Sequence, residues 1–558
     1  MNGFGFRGLE IHSARMWQEA QVLQALDFIE LTGMTALVFN QNDILDAVVY
    51  PEKYFPDELM WKRWPPRNCA VKNSRSYLRH VIRLAADRGV DFYFECKELC
   101  FPSGLLEIYP HLLGKDGALC PFDPFWPEFL SEKLRELLRE VPGFAGIIFS
   151  IGTRESMLSV SANQCRCQRC KGGAETDWYR LIFETILGVL QPAGKKMIIR
   201  DFSFTGAQQS AMLEAARQCS SEIIVSLKNT PRDYYPPYPT NPQIGTTGRE
   251  EWIEFDTWGQ FFGLGIFPVS VVEDMQMRLR ECKARGASGI LLRTDWECTT
   301  EGSAFSGMNL LNVYAGAMLA LDIEHDLDEI YKRWTANGYI SALRPASCLV
   351  APVVPSAPDA YRQMRDFMRA SWRVMEKTNY VRSLLFGESV IPPDTVRKAF
   401  DMMVHVHGRD DWEAGSSSRV TPTDENIAIV FAEKDEALHE VRQLPSILRP
   451  ETLGLPDGAV AEMRDWLDLY VYFVEMMRAC TRVCFLTQKA AQSAAKADIA
   501  AARAELMALG EFSARLARRL KPHAYMHLVS FTLNLDRLAR LSRDAESRLA
   551  EAERSSHA

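Results

Sequence analysis

The sequence has no run of 18 apolar residues, and its first segment, MNGFGFRGLEIHSARMW, holds neither an apolar core nor a small-residue cleavage site. A membrane-spanning helix and a secretory signal are therefore not expected. Basic excess is lacking too: 64 Lys and Arg stand against 72 Asp and Glu, a net charge of −8 that argues against nucleic acid as a partner. A disulfide framework is missing. Thirteen cysteines, an odd number spread over 558 residues, read as reduced thiols in a cytoplasmic protein. Nor does a Gly-x-Gly-x-x-Gly follow the first strand-like run, which disfavours an open dinucleotide-binding sheet.

What is present is a 47% apolar, 24% charged composition suited to a globular chain with a large core. Strand-like apolar runs occur at 5–11, 35–40, 91–95, 146–151, 196–201, 222–227, 252–256 and 289–295. Amphipathic helical patterns such as SRSYLRHVIRLAADRG and EDMQMRLRECKARG separate them, several closing on Gly as helix ends prefer. Eight such strand–helix units predict an α/β fold, a (β/α)8 TIM barrel over 1–345. The Pro-rich stretch 346–360 reads as a linker, and 361–558 as an all-α C-terminal domain, because its apolar residues recur at helical spacing. That helical domain also leaves open a homo-oligomer.

In such a barrel the chemistry sits where strands end. The ends supply His12 and Arg15; Asn40, Asn42 and Asp43; Glu95, Lys97 and Glu98; Arg154 and Glu155; Arg200 and Asp201; Lys228 and Asp233; Asp256 and Gln260; and Arg293, Asp295 and Glu297. Carboxylates converging with Arg and Lys on one face are the equipment of glycosidic bond cleavage. The sixth end is the most informative. IIVSL runs into Lys228, Asn229, Arg232 and Asp233, then into a Tyr/Pro loop whose Tyr234, Tyr235 and Tyr238 read as walls for a ligand. Trp252 and Trp258 fit either sugar stacking or packing, and His405 and His407 read as ordinary residues of the helical part.

KNTPRDYYPPYPTNPQIG followed by WIEFDTWGQFFGLG resembles the central region of the α-glucuronidases of glycoside hydrolase family 67. That family has Lys-Asn-Gly-Pro-x-Asp-Phe-Gln-Pro, then a Glu-Phe strand, then Gln-Glu-Tyr-Leu-Gly-Gln. The resemblance implies a barrel with a helical C-terminal domain and an inverting acid/base mechanism on a uronic-acid-containing oligosaccharide or glycoside. Residue by residue it implies Glu155 as general acid, Asp233 as base, and Arg200 with Lys228 as a clamp on the uronate carboxylate. Apart from the resemblance, Asn229, Gln260, Tyr234, Trp258, Arg293 and Asp295 read as substrate contacts from their places at the strand ends and in the loops that follow. Gln260 stands where the family has a second catalytic carboxylate. An amide cannot take a proton from water, so Asp233 would act alone, Asp256 would substitute, or the protein would bind sugar without cleaving it. A glycosidase for a neutral or amino sugar is the remaining alternative.

CRCQRC places Cys165, Cys167 and Cys170 within six residues just past Glu155. A closed zinc site needs four ligands, which Cys120, Cys96 or Cys100 could complete. Structural zinc and plain reduced thiols both remain open, and no cofactor is required for the expected hydrolysis.

Overall fold

In a computed structural model of the chain, residues 2–152, 155–339, 352–520 and 525–556 are described. Arg154 and residues 346–351 of the expected linker lie outside them. Eight strands, β1 (Phe6–Ile11), β2 (Ala36–Asn40), β3 (Asp91–Lys97), β4 (Gly146–Ile151), β5 (Lys196–Asp201), β6 (Ile224–Lys228), β7 (Glu251–Asp256) and β8 (Gly289–Arg293), pair in parallel in chain order. β8 returns to β1 (Glu10 beside Arg293), which closes the expected barrel.

The strands are buried on both faces, which is why they read as continuous apolar runs. Alternate residues face opposite ways. Leu37, Phe39, Phe92, Phe94, Ile147 and Phe149 belong to the large core shared with the helices. Ala36, Val38, Tyr93, Ile148, Ile198, Ile224, Trp252 and Leu291 form a separate cluster inside the barrel. At its N-terminal end Phe6 stacks on Trp252 with ring centres 3.5 Å apart, and Tyr93 meets both edge-on. A Cβ at Gly289 would lie 2.4 Å from the Trp252 ring, so the β8 backbone must be bare there. Trp252 is thus a floor residue, not a sugar platform.

Two residues further along each strand the interior turns polar, through Glu10, Asn40, Glu95, Ser150, Arg200, Ser226 and Glu254, all buried. This switch from hydrocarbon to ions within one strand length places the chemistry at the C-terminal mouth.

The regular alternation fails once. Every strand is followed by a helix except β6, whose connection to β7, residues 229–250, contains none. Tyr234, Tyr235 and Tyr238 are only 1–2% exposed there. The loop does build a core, because the helical region covers it: Tyr238 donates its hydroxyl to the His407 carbonyl.

That region begins with Ala360–Asn379 and includes Asp424–Ile447, the 37-residue Asp457–Ser493, Lys496–Arg519 and Leu535–Ser556. It grips the loop after β7. Asn379 Nδ2 donates to Phe261 O (2.7 Å), Tyr380 OH to the same carbonyl (3.1 Å), Ser389 Oγ to Gln260 O (2.6 Å) and Trp466 Nε1 to Ile266 O. No helix among the described residues is long and apolar enough to cross a membrane.

Candidate active site

The ion layer inside the barrel is organised by Arg200. Its Nε lies 2.7 Å from Glu254 Oε2 and 3.1 Å from Glu95 Oε1, while Nη1 donates to Ser150 Oγ (3.1 Å) and Nη2 to Tyr234 OH (2.8 Å). Tyr234 in turn donates its hydroxyl to Glu254 Oε2 (2.7 Å), and Ser226 Oγ donates to the other oxygen of that carboxylate at 2.5 Å. Burial alone would weaken the Arg200 charge, but Glu254 and Glu95 outweigh it and hold the guanidinium firmly protonated. Burial, only partly opposed by Arg200, carries Glu95 well above the usual carboxylate range. Arg200 and Tyr234 were expected to contact substrate. Their partners are instead the barrel's own buried groups, because uncompensated carboxylates there would be costly.

Above this layer, two buried lysines stand over one aromatic ring. Lys97 Nζ is 4.4 Å and Lys228 Nζ 3.7 Å from the centre of Phe202, within cation–π range. Each meets one of the two carboxylates expected to do the chemistry: Lys97 Nζ lies 2.9 Å from Glu155 Oε2, and Lys228 Nζ 3.2 Å from Asp233 Oδ1. Lys228 also donates to Arg232 O at 3.0 Å, and burial pulls it down to about 8.

Glu155 and Asp233 line one cavity of about 160 Å³ with Phe202, Ser203, Phe204, Arg232, Tyr235, Val406 and His407. The Glu155 loop is anchored from below, since Ser156 Oγ donates to the buried Glu98 at 2.6 Å. Arg232 adopts a left-handed φ of 68°, a strained conformation for a side-chain-bearing residue. Its Nη1 reaches the carbonyls of His405 and Gly408, both at 3.2 Å. His407 Nδ1 meets Tyr235 OH at 2.6 Å. A larger groove of about 890 Å³ lies between the β6–β7 loop, the helix Val272–Ala284 and the helical region.

The β1, β7 and β8 ends form a second network. Arg293 donates through Nη1 to Gln260 Oε1 (2.7 Å), through Nη2 to Glu297 Oε2 (3.0 Å) and through Nε to Asp295 O (2.9 Å). His12 bridges Glu10 (2.7 Å) and Glu297 (2.9 Å) through its two ring nitrogens. Burial and Arg293 oppose protonation of His12, yet the two carboxylates win and raise it.

Several expected contacts are packing instead. Asp256 accepts three backbone N–H groups, from Trp258 (3.0 Å), Gly259 (3.1 Å) and Gln260 (2.7 Å), so it pins the loop after β7 and is not free to act as a base. Asp295 accepts from the His12 N–H at 2.6 Å and from the Ser13 hydroxyl, a strap between β8 and β1. Trp258 is 1% exposed, and a Cβ at Gly265 would fall 2.1 Å from its Nε1. The Asn229 main-chain N–H ties β6 to β7 through Glu254 O at 3.0 Å, while its side-chain Oδ1 is buried without a hydrogen-bond partner. Gln260 faces Arg293 and is not on the wall of the Glu155 cavity.

Sequence reasoning missed Phe202, which follows a strand end but carries no charge. It also missed His407, which comes from the far side of the chain through a π-helical turn, Met402–Val406. In the cysteine cluster, the ligand atoms of Cys120, Cys165, Cys167 and Cys170 all lie within 4.8 Å of one another, whereas Cys96, on β3, and Cys100, just after it, are buried and not part of the cluster.

No protein-family model matches the sequence, and no curated protein matches it either. Among solved structures, a family 138 glycoside hydrolase targeting pectin rhamnogalacturonan II aligns with a TM-score of 0.62 at 10% identity. The alignment covers 94% of this chain and 63% of that one, so this chain spans less than two thirds of that enzyme's length. A β-N-acetylhexosaminidase from Bacteroides fragilis NCTC 9343 aligns at 0.40 and 15% identity, over 60% of this chain and 69% of that one. A family 20 exo-β-N-acetylglucosaminidase from Vibrio harveyi aligns at 0.40 and 13%, over 59% and 56%. The last two are too distant to carry an argument. What this chain shares with the family 138 enzyme, over nearly its whole length, is a fold: a closed eight-stranded barrel with a helical region behind it.

Proposed function

We propose that the protein is a glycoside hydrolase that cleaves a uronic-acid-containing oligosaccharide or glycoside with inversion. One observation carries the reading: Glu155 and Asp233, singled out as acid and base, line the same cavity at the barrel mouth, each against a buried lysine. The fold shared with a family 138 glycoside hydrolase supports the class and does not identify the sugar. Glu155 protonates the leaving oxygen. Asp233 draws a proton from the attacking water, which requires the two carboxyl groups to stand about 6.5–9.5 Å apart. Lys228 orients Asp233, and Phe202 adds an apolar surface to the cavity wall.

The carboxylate clamp differs from the expected pair. Arg200 is occupied by Glu95 and Glu254, and Lys228 lies beneath Asp233. The cation on the cavity wall is Arg232, whose Nη1 is fixed by two carbonyls and whose other edge suits a uronate. Gln260 gives no reason to prefer a silent sugar-binding protein, since its amide is engaged by Arg293 away from this cavity.

Purified protein offered aryl uronides and neutral aryl glycosides decides the matter, with the anomer of the released sugar followed by NMR. Uronide turnover that yields the inverted anomer and disappears in Asp233→Asn supports the proposal. Retention of configuration, or turnover of neutral glycosides alone, would replace it.

A further inference from the structure

We propose that Cys120, Cys165, Cys167 and Cys170 form a structural zinc site that fastens the loop after β3 to the loop after β4, on which Glu155 sits. The four sulfurs come from two loops some 45 residues apart in sequence and converge within 4.8 Å, with Cys120 Sγ 3.5 Å from those of both Cys167 and Cys170. A tetrahedron with Zn–S bonds of about 2.3 Å has edges of roughly 3.8 Å, so the spacing suits one ion at the centre. A disulfide needs sulfurs at about 2.05 Å, which excludes a bonded pair in this arrangement.

Hydrophobic burial does not account for the convergence. Cys167 is exposed and the other three are half-buried, at the surface of two loops. The backbone is arranged around the sulfurs instead: the N–H groups of Phe122, Cys167 and Cys170 point at the sulfurs of Cys120, Cys165 and Cys167.

Both loops are braced. Trp126 Nε1 donates to Cys120 O (3.0 Å), Trp178 Nε1 to Pro121 O (3.1 Å), and Arg169 pairs with Asp123 (2.8 Å). Four thiols that bind a divalent ion release four protons and leave a net charge of about −2 at the centre. Arg166 and Lys171, interleaved with the ligands in sequence, bring positive charge to that segment. Four sulfur ligands leave no open position, so the ion holds structure and takes no part in the reaction.

The test is metal content and spectroscopy, with activity left aside. Protein purified without chelator should hold close to one zinc per chain by elemental analysis. Removal of the zinc followed by cobalt should give the strong visible absorption of a tetrahedral four-thiolate site. Cys120→Ser and Cys165→Ser should each lower metal content to near zero or weaken its retention against a chelator at least tenfold. Cys69→Ser, an exposed thiol outside the cluster, should leave it unchanged. If either cluster variant fails to fold, the wild-type cobalt spectrum still decides. Metal-free wild-type protein whose thiols all react freely, and which takes up neither zinc nor cobalt when reduced, would overturn the proposal.

Discussion

The Tyr235 hydroxyl lies 2.6 Å from His407 Nδ1, a bond between residues 172 positions apart that makes the helical region a wall of the barrel's cavity. Burial, reinforced by the nearby Arg232, pulls His407 down to about 4. Its imidazole is therefore neutral at working pH and cannot serve as the acid. The pH–rate profile should show no limb near 6.5 that disappears in His407→Ala. That variant should raise KM roughly two- to tenfold, the worth of one hydrogen bond, with kcat little changed. The neutral ring also gives the fold an acid-sensitive contribution: it is fully present above pH 6.5 and is lost as pH falls toward 4, because the unfolded chain takes up the proton first.

If Glu155 protonates the leaving group, Glu155→Gln should cost about 10²–10⁴-fold on substrates with poor leaving groups and far less on activated aryl glycosides. Steady-state rates on a series of aryl leaving groups would show this as a steeper dependence on leaving-group acidity. An equal loss across the series would reduce Glu155 to a partner of Lys97.

Arg200→Met tests the ion layer. Glu95 and Glu254 would lose their shared cation inside the barrel, and denaturant unfolding should report a loss of about 3–5 kcal/mol. Any fall in activity should be the same for charged and neutral substrates, because Arg200 faces carboxylates of the protein.

Arg232→Met should behave in the opposite way. Loss of a charge-assisted hydrogen bond would lower kcat/KM for a uronide by roughly 10- to 150-fold, or about 1.5–3 kcal/mol, and leave a neutral glycoside nearly unaffected. Equal effects on both would mean that the guanidinium only braces the His405–Gly408 turn.

Lys228 has its own signature. Burial lowers it to about 8, so its charge beside Asp233 is lost as pH rises through that value. The profile of kcat/KM should bend down above pH 8 for every substrate, and Lys228→Met should lack that limb. Stability should move the other way. Between pH 8 and 10.5 the unfolded chain binds the extra proton, so this site stabilises the fold as pH rises there. Thermal unfolding of the wild type and Lys228→Met across that range isolates the contribution.

The barrel was readable because parallel strands buried on both faces leave continuous apolar runs. The run at 146–151 coincides with β4, and those at 5–11 and 35–40 each begin one residue before β1 and β2. Glu155 and Asp233 were readable as strand-end carboxylates. What failed depended on partners distant in sequence. The 229–250 loop looked like an open wall of Tyr and Pro because nothing local reveals the helices that bury it. Arg200 looked like a clamp because its partners, Glu95 and Glu254, sit on strands far away in the chain. His407 carried no local sign of the cavity it completes, and Cys120 was one of three equal choices until the loops were folded.

The joint between the barrel and the helices has a consequence for how this chain tolerates change. Asn379, Tyr380, Ser389 and Trp466 all donate to main-chain carbonyls of residues 260–266. Such contacts recognise the path of a loop and not the identity of its side chains. Asp256 holds that path through three main-chain N–H groups of residues 258–260. The same loop is confined from within, since Phe261, Phe262, Leu264 and Ile266 are buried and a Cβ at Gly263 or Gly265 would collide with its neighbours, so neither its path nor its side chains can drift without loosening the joint.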